Sequence, residues 1–228
     1  MPKPDWYLKI NPVSSIADDL FFLSIFWRHR STSSCVCYIE KRGKVPALRI
    51  PTEQNAVIYE SAICNEFLCD YATKLQKHHT LMPTDPIKKA QIRLLNDHCD
   101  NVFSKTQFTY LMNKNDEMNE SLCAEMEDAL KCYEDALGES KGPYFMGECF
   151  TNADLHVFPF IQRLVITLKH WKDYELPSDK FPNLLAWHDS CLERESVSQS
   201  SMSKEKTIEV YGRFVSADYK FGGLNTSK

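Results

Sequence analysis

The sequence predicts an α/β plus all-α chain: a small α/β unit over residues 1–75, then an all-helical domain over residues 84–220. Three observations carry this. Short β-type runs occupy 45–50 and 56–59, with a turn-forming cluster, Pro51 to Asn55, between them, as a hairpin requires. From Glu60 onward the apolar period lengthens from two to between three and four. Only 7 of 228 residues are Gly, too few for a turn-rich all-β fold. A hydrophobic fraction of 43% against 25% charged supplies a real core and excludes wholesale disorder.

The elements follow in order. Ile63, Phe67, Leu68 and Tyr71 predict an amphipathic helix of about three turns after Glu60. Residues 76–83 read as a linker. Asp85-Pro86 is an N-cap with proline at the first helical position. Ile87, Ala90, Leu94, Leu95 and Val102 are expected on the buried face of the helix that follows. The next helix carries Met118, Leu122, Met126, Ala129, Leu130, Tyr133 and Leu137, with Gly138 as its stop. Thr151 and Asp154 form a capping-box start. That helix is expected to bury Leu155, Phe158, Ile161, Leu164, Val165 and Leu168, with Pro159 kinking it or marking a shifted start. Phe181-Pro182 opens another helix bearing Leu184, Leu185, Cys191 and Leu192, and a last one runs near 203–214. Trp171, Trp187 and the methionines read as core, and the tail from Phe221 as loose.

Charge and cysteines exclude several function classes. Lys plus Arg is 27 and Asp plus Glu 31, a net −4 with no basic block, so nucleic acid is not an expected partner. The most apolar run, 20–27, is far short of a bilayer span, so no membrane span is expected. Nine scattered cysteines with no secretory leader read as reduced thiols in a cytoplasmic protein. Cys35 and Cys37, Cys64 and Cys69, and adjacent His78 and His79 give no zinc spacing, and no metal site is expected.

Four stretches carry a resemblance. They are Lys3-Pro4-Asp5-Trp6-Tyr7-Leu8-Lys9-Ile10-Asn11-Pro12, Gly43-Lys44-Val45-Pro46-Ala47-Leu48, Ile58-Tyr59-Glu60-Ser61-Ala62-Ile63, and Gly142-Pro143-Tyr144-Phe145-Met146-Gly147 ahead of Thr151 and Asp154. In this order the chain resembles the glutathione transferase family, its omega and dehydroascorbate-reductase branches above all. The resemblance implies the glutathione-transferase fold: a thioredoxin-like N-terminal domain, here incomplete, and a helical C-terminal domain. It implies glutathione as co-substrate. Val45-Pro46 would be a cis-proline turn whose Val45 N–H and C=O meet the cysteinyl part of that tripeptide. Ser61, at a strand-to-helix junction, would take the γ-glutamyl carboxylate with its hydroxyl and backbone N–H. Glu60 would face the ammonium group, and Lys3 the glycyl end.

Two departures bear on function. The family's first β-α-β unit carries its catalytic residue, a Cys-Pro pair in omega-like members. This chain starts where that unit should have ended, and none of its cysteines precedes proline, so the unit is expected to be missing and the catalytic residue stays unassigned. Residues 13–42 interrupt a family motif as a 30-residue insertion and read as a splice or gene-model artefact. The resemblance implies an omega-like glutathione transferase, acting as a glutathione-dependent thiol transferase or dehydroascorbate reductase. Its second substrate would be a small electrophile, a disulfide or dehydroascorbate, and the family is often homodimeric. The alternative is a non-catalytic binding protein of the same fold, or an inactive truncated isoform.

Overall fold

A computed structural model describes residues 47–50, 56–74 and 81–216. Lys3, Val45, the 13–42 segment and the tail from Phe221 lie outside these residues. β1 (Ala47–Ile50) and β2 (Ala56–Tyr59) pair antiparallel, from Ala47 opposite Tyr59 to Ile50 opposite Ala56. The predicted hairpin pairing is therefore present. α1 (Ser61–Lys74) leaves the end of β2, and Leu48, Cys64 and Leu68 close a small core against Ile58 and Phe67.

The helical domain runs through α2 (Pro86–His98), a π-helical turn (Cys99–Phe103), α3 (Ser104–Met112) and a 3₁₀ turn (Asp116–Met118). It continues with α4 (Asn119–Glu139), α5 (Asn152–Lys172), α6 (Pro182–Leu192), α7 (Glu195–Ser200) and α8 (Lys204–Ser216). Its start is as predicted: the Lys88 N–H donates to Asp85 Oδ1 at 2.8 Å, with Pro86 where no donor is needed. α5 is the central helix and packs against α1, α2, α3, α6 and α8. Ile92, Met126, Leu130, Val157, Ile161, Leu164, Leu184 and Trp187 fill the space between, essentially without exposure. Each such aliphatic side chain stabilises the fold by about 1.5–3 kcal/mol on burial.

Two helices face differently from the expectation. In α1 the buried stripe is Cys64, Leu68 and Ala72, while Ile63 points to solvent. In α2 the buried face is Ile92, Leu95 and Asn96, continued by Cys99 and Phe103 through the π turn. Ile87 and Leu94 are 69% and 70% exposed, and Ala90 and Val102 are also outside. The cause is the same in both. Small or polar residues, Cys64, Asn96 and Cys99, occupy the inward positions, so hydropathy alone points to a neighbouring face. Gly138 is likewise no stop. α4 continues through it to Glu139, and the left-handed residue just beyond is Lys141, at φ 53°. Gly138 instead admits a neighbour, since a Cβ there would stand 3.3 Å from Asn183 Nδ2. α5 runs unbroken through the exposed Pro159.

Two buried carboxylates tie helices together. Asp154 accepts from the Phe145 N–H (3.1 Å), the Thr151 N–H (2.7 Å), the Thr151 hydroxyl (3.0 Å) and Trp187 Nε1–H (2.8 Å). The predicted capping box is thus formed, and it also reaches α6. Burial raises the pKa of Asp154 and the four donors oppose that rise. Glu134, on α4, accepts from the Asn183 N–H (3.0 Å), Asn183 Nδ2–H and the Leu184 N–H (2.9 Å), which caps the start of α6 from another helix. Between α4 and α5 the chain folds back so tightly that a Cβ on Gly142 would meet the Gly147 carbonyl carbon at 2.4 Å.

Asp154→Ala leaves these buried donors unpaired. At about 1–3 kcal/mol per group, urea unfolding should show a loss of at least ~3 kcal/mol. A loss below ~1 kcal/mol would contradict the role. A second outcome concerns pH. His98 and His188 have pKa values below the usual 6.5, chiefly through burial. The unfolded chain protonates these rings first, so their contribution is full above pH 6.5 and declines as pH falls below it. The double change His98→Gln, His188→Gln should flatten that decline in thermal melts taken at successive pH values.

Candidate functional site

Two of the four sequence-predicted site residues are adjacent at the junction of β2 and α1. Glu60 is exposed and holds φ at 71°, a left-handed conformation uncommon outside glycine. Its carbonyl accepts the Cys64 N–H at 2.9 Å, which closes the first turn of α1. Ser61 is the first residue of α1. The N–H groups of a first helical turn have no intrahelical acceptor, and the helix dipole favours an anion there. A positive φ on a long acidic residue costs about 1–3 kcal/mol and persists where the surroundings determine it, most often at ligand clamps and functional turns. Lys3 and Val45 lie outside the described residues.

From Ser61 the first turns of α1 run along the helical domain and leave a cleft of about 200 Å³. Ala62 and Glu66 line it on one side; Arg93, Asn96, Asp97 and Asp100 on α2 and the π turn line the other. Met82 and Asn152 complete its wall. Glu66 and Arg93 are paired across it. Asn96 donates from Nδ2 to Asn152 Oδ1 at 3.0 Å, and Asn152 donates to Cys69 Sγ at 3.6 Å. Asn96 Oδ1 meets no hydrogen-bond partner among the described residues, although the residue is only 7% exposed. A buried acceptor left open on a cleft wall is a place where a ligand or ordered water is worth about one hydrogen bond.

Behind the cleft lies a polar network. His156 Nε2 contacts Asp100 Oδ1 at 3.0 Å, and His98 Nδ1 contacts the Tyr133 hydroxyl oxygen at 3.1 Å. That hydroxyl lies beside the Cys99 thiol. Burial pushes the Cys99 thiol up to about 12 and the Cys64 and Cys69 thiols up to about 11, with Glu60 adding to the rise at Cys64. Burial also raises Cys123, Cys132 and Cys191. These six thiols are poorer nucleophiles than an exposed cysteine at neutral pH.

Sequence reasoning missed the cleft residues Arg93, Asn96, Asp100 and Asn152. One signal was available: Asn96 interrupts the otherwise apolar Ile92, Leu95, Cys99 face. Phe103, Tyr110 and His156 are buried, Phe103 and Tyr110 as core.

Residues 98–195 match the sequence profile described as "Glutathione S-transferase, C-terminal domain". The chain is 30% identical over 140 residues to glutathione S-transferase U19 of Arabidopsis thaliana, a match covering 61% of this chain and 62% of that relative. It is similar to the solved structure of glutathione transferase Omega 3C from Trametes versicolor, at TM-score 0.62 and 25% identity, over 76% of this chain and 74% of that one. A Tau class glutathione S-transferase from mango, Mangifera indica, shares the fold at TM-score 0.70 and 17% identity, over 93% of this chain and 94% of that one.

The thiol environments make a direct prediction. Brief iodoacetamide treatment of the native chain at neutral pH should alkylate exposed Cys149 and spare Cys64, Cys69, Cys99 and Cys191 until denaturant is added. Peptide mass mapping reads this, and equally fast native labelling of Cys99 would contradict the packing.

Proposed function

From the match of residues 98–195 to the glutathione S-transferase C-terminal-domain profile and the likeness to glutathione S-transferases along the chain, we propose that the chain is a member of that family and that it binds glutathione at the Glu60-Ser61 junction. The observation that carries this reading is the left-handed Glu60 followed at once by the N-terminus of α1. Ser61 offers a hydroxyl and a backbone N–H to the γ-glutamyl carboxylate, and Glu60 an acceptor for the ammonium. In this reading Lys3 takes the glycyl carboxylate and Val45 the cysteinyl backbone. The reaction is glutathione-dependent transfer of the omega-like kind, as thiol transferase or dehydroascorbate reductase, on a small electrophile, disulfide or dehydroascorbate.

A second reading, binding without turnover, is favoured by one observation: the six thiols with resolved shifts are all pushed upward by burial. The chain is cytoplasmic in either reading, consistent with its unpaired Cys64, Cys99, Cys123, Cys132, Cys149 and Cys191. No described helix is long and apolar enough to cross a membrane. A homodimer is also proposed, through the α2 face on which Ile87 and Leu94 stand two turns apart, 69% and 70% exposed.

Calorimetric titration of the full chain with glutathione tests the main reading. Ser61→Ala and Glu60→Gln should each weaken binding by about tenfold, the loss expected for one charge-assisted hydrogen bond. Absence of saturable binding, or equal binding by both variants, would overturn it. Steady-state turnover with hydroxyethyl disulfide or dehydroascorbate separates the transfer reading from the binding reading. For the dimer, Ile87→Glu with Leu94→Glu should move the light-scattering mass from two chains to one; an unchanged mass counts against that face.

A further inference from the structure

We propose that Cys99, Asp100 and His156 form a divalent-metal site of the zinc type at the inner wall of the α1–α2 cleft. Their ligand atoms, one thiol sulfur, one carboxylate oxygen and one imidazole nitrogen, all lie within 4.8 Å of one another. Two ligands about 2.0–2.1 Å from one tetrahedral zinc stand roughly 3.3 Å apart, and His156 Nε2 and Asp100 Oδ1 are 3.0 Å apart. The set is mixed sulfur, nitrogen and oxygen, which suits zinc over magnesium or calcium. Three protein ligands leave a fourth position for water or a small anion.

The fold supports the site in three independent ways. The π turn at Cys99–Phe103 sits between α2 and α3, and such widened turns inside helices recur at functional positions. Two of the ligands are held by burial, Cys99 with no exposure and His156 at 3%, and the Tyr133 hydroxyl, itself in contact with His98, lies beside the Cys99 thiol. There is also an entry path. The side chains of Cys99 and His156 are buried, but Asp100 is 39% exposed and lines the cleft. On the same wall, one turn earlier, Asn96 carries a buried Oδ1 that meets no hydrogen-bond partner among the described residues. On binding, the Cys99 sulfur loses its proton to solvent as the sulfur–metal bond forms. His156 Nε2 gives up the proton it shares with Asp100, the ring taking the tautomer protonated on Nδ1 by exchange with solvent, and the freed nitrogen and carboxylate oxygen each bond the metal.

The test is titration of the chelator-stripped, reduced full chain with Co²⁺. The expected result is one equivalent bound, with a thiolate-to-cobalt charge-transfer band that Zn²⁺ abolishes by displacement. Cys99→Ser should remove that band and His156→Gln should weaken binding by about tenfold or more. Cys149→Ser, at an exposed thiol elsewhere, should change neither. Should Cys99→Ser fail to fold, Asp100→Asn at the half-exposed wall serves instead and must weaken binding by about tenfold. No charge-transfer band, a band of full strength in folded Cys99→Ser, or unchanged affinity in Asp100→Asn would each overturn the site.

Discussion

The helical domain depends on the carboxylate of Asp154. It lies at the first turn of α5 with essentially no solvent contact and meets four donors from three segments. No cation stands among those four donors, so hydrogen bonds alone offset the cost of burying it. The arrangement holds the start of the central helix, the loop that precedes it and the indole of Trp187 in one geometry. Because α5 packs against α1, α2, α3, α6 and α8, its position sets theirs. The cleft inherits this: Asn152, two residues before Asp154, is one of its walls and the partner of Asn96.

That inheritance explains why the cleft is polar where a domain core would be apolar. α1 brings two surfaces to the helical domain. Cys64 and Leu68 face the hairpin, while Ala62 and Glu66 face α2. Across from them α2 presents Arg93, Asn96, Asp97 and Asp100, whose side chains cannot be desolvated without partners. Glu66 and Arg93 satisfy one another, and Asn96 with Asn152 half-satisfies a second pair. The hairpin-plus-α1 unit and the helical domain thus meet over a junction held partly by hydrogen bonds, beside the residues proposed to bind glutathione.

Much of the fold was legible from local chemistry. The Asp85-Pro86 start, the Thr151 to Asp154 box, the Phe181-Pro182 start and the hairpin pairing are all short-range signals, and the structure contains each. What was not legible was orientation. In α2 the pattern of Ile87, Leu94 and Val102 is as periodic as that of Ile92, Leu95 and Cys99, and only the tertiary neighbours choose between them. The site divides in the same way. Glu60 and Ser61 could be singled out in the sequence because they are contiguous. The cleft and the Asp100 to His156 contact were not, because residues 56 positions apart become neighbours only through the packing of α5 on α2.

The cap that Glu134 places on α6 has a consequence for the order of assembly. Phe181 offers no side-chain cap of its own, so the first amides of α6 are satisfied from a carboxylate about fifty residues upstream. A helix of 11 residues is marginal in isolation, and this one gains its starting bonds only after a long loop has closed. Formation of α6 is therefore a late event, conditional on α4 already lying in place. Because Trp187 rides on α6, its indole fluorescence reports the completion of the domain rather than its initial collapse.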